Sequence, residues 1–197
     1  MNHFKKILEF EKLLQKFNQV HRDLDAIDGL KRFDNDVEHS YRVAMLCWMV
    51  IDEYKLKLDI NKVIKYALIH DLVEVYAGDM SMYKDYNQKD KEKREHQALL
   101  KLKKNFPKLG SLWNLIGIYE KREDEESKFV YVIEKLEPIL CCLLSEEDHY
   151  IKRGVTLENL IERKQRKIKS IDTFAQNFTK EILDHLKKNK KKYFIQK

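Results

Sequence analysis

Glycine and proline are scarce, five and two in 197 residues. A fold of strands and tight turns draws heavily on both, so the shortage argues for long helices joined by short connections. Cysteine is nearly as rare. Cys47, Cys141 and Cys142 form no CxxC pair, and two adjacent cysteines cannot readily bridge each other or share a metal. All three sit in apolar runs, which is the pattern of buried, reduced thiols and points to the cytoplasm. Long hydrophobic runs are missing as well. The longest, Val43 to Ile51, is too short to span a bilayer, and the opening MNHFKKILEFEKLL alternates charge with hydrophobe where a secretory signal carries an apolar block. The expectation is a soluble, cytoplasmic chain with no membrane partner.

What is present fits that picture. Hydrophobic residues make up 43%, enough for one core, and charged residues 37%, the level of many amphipathic helices each showing a wet face. The net charge of +6 will attract anions without saying which. The excess is densest at Lys187, Lys188, Lys190, Lys191 and Lys192, a run expected to be a frayed, solvated helix end. A nucleic-acid tail is the alternative, but no interleaved aromatics and no groove-reading motif support nucleic acid as a partner.

Apolar spacing predicts an all-α fold of about seven helices. The first carries Phe4, Leu8, Leu13, Leu14 and Phe17 and ends before a polar stretch, His21 to Asp36, expected to be loop. Asp36 is the expected N-cap of a second helix through His39, Val43, Leu46 and Val50. Asn61 or Asp59 opens a third, continuing past Val75 to a stop near Gly78. A fourth runs from about Asp90 to Asn105, a fifth from Leu109 to Glu120, and a sixth from Ser127 to Leu144 with a bend expected at Pro138. Thr156 caps one last helix through Ile161, Ile168, Ile171, Phe178 and Ile182. The spacing of Ile161, Ile168 and Ile182 in multiples of seven leaves room for a homodimer, although such a stripe usually packs on its own core.

The segment ALIHDLVEVYAGD, Ala67 to Asp79, carries the chemistry. A histidine followed directly by an aspartate is costly to bury in an apolar helix, and a divalent cation satisfies both. Glu74 lies one helical turn beyond His70, and Asp79 follows Gly78, where the chain leaves the helix. A satisfied core histidine has the same look. The odds move with a second intrusion, His39, at the head of the apolar run SYRVAMLCWMV, where a helix N-terminus keeps imidazole neutral. Two histidines and a carboxylate make a mixed nitrogen and oxygen site suited to Mn, Fe, Co, Ni or Zn. Glu38 is expected to face the helix dipole, and His96 and His149 to be surface residues. Tyr83, Tyr86 and Trp113 could stack a base or simply pack.

Three blocks, RFDNDVEHSYRVAML, KYALIHDLVEVYAGD and KFVYVIEKLEPIL, together with the pair His21-Arg22 ahead of the first, resemble the HD-domain metal-dependent phosphohydrolases. The likeness is to the branch that includes the bacterial 5′-deoxynucleotidases. It implies a single HD-type hydrolase domain over 1–197, with core blocks at 20–145 and a C-terminal helix at 156–188. It also implies one divalent transition metal on His39, His70 and Asp71. The fourth ligand of the family is an aspartate; the matching position here is Glu134, one methylene longer. Glu74 and Asp79 fall on the acid-base and water-positioning carboxylates, and Arg22 on the phosphate-holding arginine. The implied activity is release of phosphate from (deoxy)nucleoside 5′-monophosphates. The alternatives are another HD-type nucleotide phosphohydrolase, acting on a triphosphate or signalling nucleotide, and a catalytically inactive binding module on the same scaffold. Read from the sequence alone, Arg22 is equally a solvated loop arginine and Asp79 a turn cap.

Overall fold

The computed structural model describes residues 3–27, 32–79, 87–145, 148–168 and 173–195. Among them are eleven helical segments and one small sheet. The fold class is all-α. Eight helices have ten residues or more, and three are single turns.

Helix α1 (His3–Phe17) lays Leu13 and Phe17 into the core. Two short strands follow, β1 (His21–Asp25) and β2 (Phe33–Asn35), antiparallel, with His21 opposite Asn35 and Asp25 opposite Phe33. This corrects the expectation of a loop. HRDLD shows no clean alternation because its charged side chains are taken by partners at both ends. Arg22 reaches Asp36 and Asp71, while Asp23 binds Arg153.

Helix α2 (Asp36–Tyr54) is capped by Asn35, not Asp36. The Asn35 backbone is extended, and its side-chain oxygen accepts from the Val37 and Glu38 N–H groups at 3.1 and 3.0 Å. Asp36 is thereby released to point inward at Arg22. Helix α3 (Ile60–Ile69) is capped by Asp59. It does not run on to Gly78. From Ile69 onward the backbone bonds shorten to i,i+3, Leu72 N–H to Ile69 and Glu74 N–H to Asp71, before the single turn α4 (Glu74–Ala77). The tighter winding turns each residue further about the axis, so Glu74 does not stand directly beneath His70 as in one regular helix.

Helices α5 (Gln88–Asn105), α6 (Gly110–Lys121) and α7 (Glu125–Leu144) lie close to their expected limits. Asp124 and Ser127 form a reciprocal cap at the head of α7, and the helix continues through Pro138. After the turn α8 (His149–Lys152) come α9 (Leu157–Ile168), α10 (Thr173–Lys188) and the turn α11 (Lys190–Tyr193). One unbroken last helix is ruled out by the ion pair of Lys190 with Glu158 at 2.7 Å. A straight helix would hold those residues about 48 Å apart.

Helix α7 is the spine. Phe129, Val130 and Ile133 join α1 to α6 in one apolar cluster; Val132, Leu136 and Ile139 join α9 to α11 in a second. Ile168 and Ile182 are buried in that second cluster and Ile161 packs against it, so the heptad stripe serves the chain's own core. The lysine-rich end is likewise not frayed. Phe194 is 1% exposed and stacks on Tyr150, ring centroids 4.9 Å apart. His149, expected at the surface, is 3% exposed beneath Asp25 and Arg153.

Candidate metal centre

The sequence puts His39 in the first turns of α2, His70 and Asp71 where α3 gives way, and Glu134 midway along α7. Packing of α2, α3 and α7 against one another brings all four side chains into one region. One ring nitrogen of His39, one of His70 and a carboxylate oxygen of Asp71 lie within 4.8 Å of one another. Asp71 Oδ2 is 3.0 Å from His70 Nε2 and 3.8 Å from His39 Nε2. The Glu134 carboxylate stands at the edge, Oε2 3.9 Å from His70 Nε2.

The tautomers follow from the partners. His70 Nδ1 donates to the Ala67 carbonyl at 2.8 Å, which can only accept. His39 Nδ1 donates to Glu137 Oε2, also at 2.8 Å. Both Nε2 atoms therefore face the shared space, and both are buried with no hydrogen-bond partner. Two orphaned imidazole nitrogens beside a carboxylate fit a divalent metal ion, which would be held by His39, His70 and Asp71 with Glu134 alongside.

Charge in the site is finely divided. Burial, and then the Arg22 guanidinium, hold His39 down to about 4, so it is neutral. Burial rather than the helix terminus is thus the main cause. Burial also pulls His70 down, but Asp71, Glu134 and the Ala67 carbonyl outweigh it and raise the imidazole to about 9. Without a metal, His70 carries the proton that a cation would replace. Glu74 is 4% exposed; burial and then Asp71, Asp36 and Asp79 push its carboxyl well above the usual range. Its nearest counter-charge is Lys91, 3.8 Å away.

Asp79 comes back over the turn as expected. Gly78 makes this possible with φ of 74°, a conformation that strains any side chain. The Asp79 carboxylate joins Glu74 and Asp36 in a second cluster whose oxygens lie within 4.8 Å of one another. Asp36 Oδ2 and Glu74 Oε2 are buried without partners, so this cluster could also take a cation. Asp36 was not among the expected site residues; its only sequence signal is an acid directly before a helix, where a cap explains it fully. Arg22 NH1 donates to Asp36 Oδ1 and Asp71 Oδ2, both at 3.2 Å, while its Nε, buried without a hydrogen bond, lies 3.9 Å from Asp34 Oδ2.

Three further residues were missed. Glu137, 1% exposed, accepts from His39 and from Arg42 Nε at 2.6 Å. Tyr119 donates to Glu134 Oε1 at 3.0 Å, and Lys135 donates to Glu134 Oε2 at 2.9 Å. Trp113 is buried packing, its N–H donating to the Phe106 carbonyl at 2.9 Å. Glu38 pairs with Arg32 and not with His39, His70 or Asp71. Tyr83 and Tyr86 lie outside the described residues.

A cavity of about 1060 Å³ opens from His70, Asp71, Glu74 and Glu134 and extends to α9. Its lining mixes both signs: on α9 Arg163, Arg166 and Lys167 stand with Glu162, and Lys135 pairs with Glu134 at 2.9 Å. Burial, and then the charge of Lys135, hold the Lys167 ammonium down to about 8.

Comparison with known proteins agrees with this architecture. A 5′-deoxynucleotidase HDDC2 of Homo sapiens is 26% identical over 136 residues, 68% of this chain and 65% of that protein. The chain thus spans just under two thirds of that relative's length. The HDDC2 protein of Dictyostelium discoideum is 28% identical over 163 residues, 79% of this chain and 83% of that one. The crystal structure of a "Predicted metal-dependent phosphohydrolase" from Magnetospirillum magnetotacticum MS-1 shares the fold, with a TM-score of 0.79 at 23% identity, covering 98% of this chain and 96% of that one. The model of the HD domain family matches residues 14–175, the stretch that contains the whole cluster. The chain belongs to the HD domain family.

Proposed function

We propose that this chain is a metal-dependent phosphomonoesterase that releases phosphate from deoxynucleoside 5′-monophosphates, with His39, His70, Asp71 and Glu134 as metal ligands. The observation that carries the reading is the pair of buried, partnerless Nε2 atoms aimed with Asp71 into one space at the end of a large cavity. The 5′-deoxynucleotidase names of its relatives supply the substrate class.

A metal there would supply a Lewis acid and make water more acidic. The chain's own groups account for the rest. Glu74, kept protonated by burial and by three nearby carboxylates, is a proton donor suited to the departing sugar oxygen. Asp79, beside it, orients the attacking water. Arg22 lies against Asp71 through NH1, and its guanidinium is the cation suited to draw a phosphoryl oxygen towards that carboxylate. Arg22 also offsets the negative charge of Asp36 and Asp71, which would otherwise repel phosphate.

The test is phosphate release by the full chain, stripped and reloaded separately with Mn, Fe, Co, Ni and Zn. Release from 5′-monophosphates and not from 3′-monophosphates is expected, and Glu74→Gln should slow turnover while metal stays bound. No metal uptake, or equal cleavage of both isomers, refutes the assignment.

A further inference from the structure

The cavity beside the metal centre has room for a whole nucleotide. Its volume of about 1060 Å³ stands at the top of the range for small-molecule sites, about 300 to 1,000 Å³. On the phosphomonoesterase reading the phosphate sits at the end marked by His70, Asp71 and Glu134, so the sugar and base lie against the remaining wall. That wall is almost wholly charged. Apart from His70, Tyr119, Tyr131 and Asn159, every described residue that lines the cavity is an acid, a lysine or an arginine. A nucleobase is flat and uncharged at neutral pH, and charged side chains must shed water to make room for it. An aromatic face takes it without that cost.

Among the described residues of the wall, Tyr131 offers that face. Tyr119 is 5% exposed, and its hydroxyl donates to Glu134. Tyr131 is half-buried on α7, three residues before Glu134. Residues at that spacing are neighbours on one helix face, with Cβ atoms about 5–6 Å apart, a gap that the sugar of a nucleotide bridges. The ring already stacks with a planar cation. The Arg122 guanidinium lies over it, 4.6 Å from the centroid, and the Lys135 ammonium is 5.1 Å away. Lys135 is held there by Glu134 at 2.9 Å. Arg122 is the exposed C-cap of α6, with φ of 53° and its backbone N–H on the Ile118 and Tyr119 carbonyls. A phenol ring and a guanidinium plane are the two kinds of surface on which bases stack.

We propose that Tyr131, with Arg122 stacked on it, is the platform for the nucleotide base, so that the enzyme selects nucleotides over bare sugar phosphates. The inference rests on the phosphomonoesterase reading for the phosphate end and adds the base subsite to it. Tyr131 meets the substrate away from the reacting atoms. Its loss therefore raises KM and leaves kcat little changed.

The experiment compares deoxyadenosine 5′-monophosphate with 2-deoxyribose 5-phosphate, which carries the same sugar phosphate and no base. Affinities for the metal-free full chain are read by calorimetry, and KM and kcat by phosphate release from the Mn²⁺-loaded chain. The nucleotide should bind about tenfold tighter than the sugar phosphate. That ratio should fall to about one in Tyr131→Leu and survive in Tyr131→Phe. Tyr131 also packs against both apolar clusters, so Arg122→Gly supplies an independent reading. Glycine adopts a φ of 53° freely, so the cap of α6 is kept while the guanidinium is lost, and the ratio should fall there too. The 5′-monophosphate of 2-aminopurine deoxyriboside reports the stacking itself: its fluorescence should be quenched on binding to the wild type and recover in Tyr131→Leu. Equal wild-type affinities for the two ligands, or a ratio that survives in both Tyr131→Leu and Arg122→Gly, overturn the platform. A base advantage in binding without phosphate release from any 5′-monophosphate refutes the phosphomonoesterase reading and leaves the platform standing.

Discussion

Glu137 offers the sharpest test of how the metal centre is held. His39 is fully buried, so its Nδ1–H must find an acceptor inside the protein, and Glu137 is that acceptor. The same carboxylate takes Arg42 Nε and the Cys141 thiol, leaving no oxygen idle. Burial raises the Glu137 carboxyl, but the His39 hydrogen bond and Arg42 overcome this and hold it below the usual carboxylate range. Glu137→Gln keeps the shape and removes the charge. Its one oxygen can serve His39 or Arg42, and its amide then faces the other donor. A lost charge-assisted bond costs about 1.5–3 kcal/mol. Arg42 is 35% exposed and retains Asp34, so water and that partner soften its share. The larger consequence falls on the metal. If Nδ1 loses its acceptor, the proton moves to Nε2 and the ligand lone pair disappears; weakening of metal affinity by about 10–100-fold is expected. Calorimetric titration with Mn²⁺ and urea unfolding of the metal-free chain separate the two effects. Cys141→Ala, which touches Glu137 but not His39, should lower stability alone. Unchanged Mn²⁺ affinity in Glu137→Gln would refute the reasoning, whatever happens to stability.

Three other outcomes follow from the geometry. Glu134→Gln should weaken Mn²⁺ binding and Glu134→Asp should retain part of it, because Glu134 Oε2 lies 3.9 Å from His70 Nε2; identical affinities in titration remove Glu134 from the ligand set. Apparent Mn²⁺ affinity should rise about tenfold per pH unit and level off near 9, where metal no longer competes with the His70 proton; by the same linkage the metal-free chain should lose stability as pH rises from 6.5 through about 9, and a flat profile contradicts this. Phe194→Ala should cost about 3 kcal/mol in denaturant unfolding while leaving Mn²⁺ affinity unchanged, since the ring is buried on Tyr150 in the second apolar cluster; an unaltered midpoint means that the C-terminal turn is not docked.

How much of this is legible in the sequence depends on whether a residue's job is announced by its own neighbourhood. His70-Asp71 inside an apolar run is conspicuous because nothing local could satisfy it, and His39 is conspicuous for the same reason. The long helices are legible because their apolar faces recur at the helical period, and the caps Asp59 and Thr156 because a short polar side chain precedes such a face. Asp36 fails that test. A carboxylate just ahead of a helix is already explained as a cap, and only the extended backbone of Asn35 shows that the cap lies one residue earlier. The ribbon of β1 and β2 fails too, since its side chains answer to Arg153, Asp36 and Asp71 from distant parts of the chain and not to a two-residue alternation.

Helix α7 shows why the remainder could not be read. In VIEKLEPIL, Glu134 and Glu137 are three residues apart, both buried, and flanked alike by apolar residues and lysine or proline. Periodicity places them on one face without telling a wet face from a polar interior. The difference between them is set by what that face meets. Near Glu134 it meets His70, Tyr119 and Lys135 at the cavity; one turn later, at Glu137, it meets the back of His39 and Arg42. One carboxylate thus stands where a cation could be shared, while the other orients a ligand from behind. The two apolar clusters on either side of α7 hold that helix at the depth where both contacts are made at once. The methylene that separates Glu134 from the aspartate of the resembling family is therefore not free to be absorbed by a shift of the helix, because Glu137 fixes the helix against His39. The extra length has to be taken up within the Glu134 side chain itself, where Tyr119 and Lys135 already hold its two oxygens.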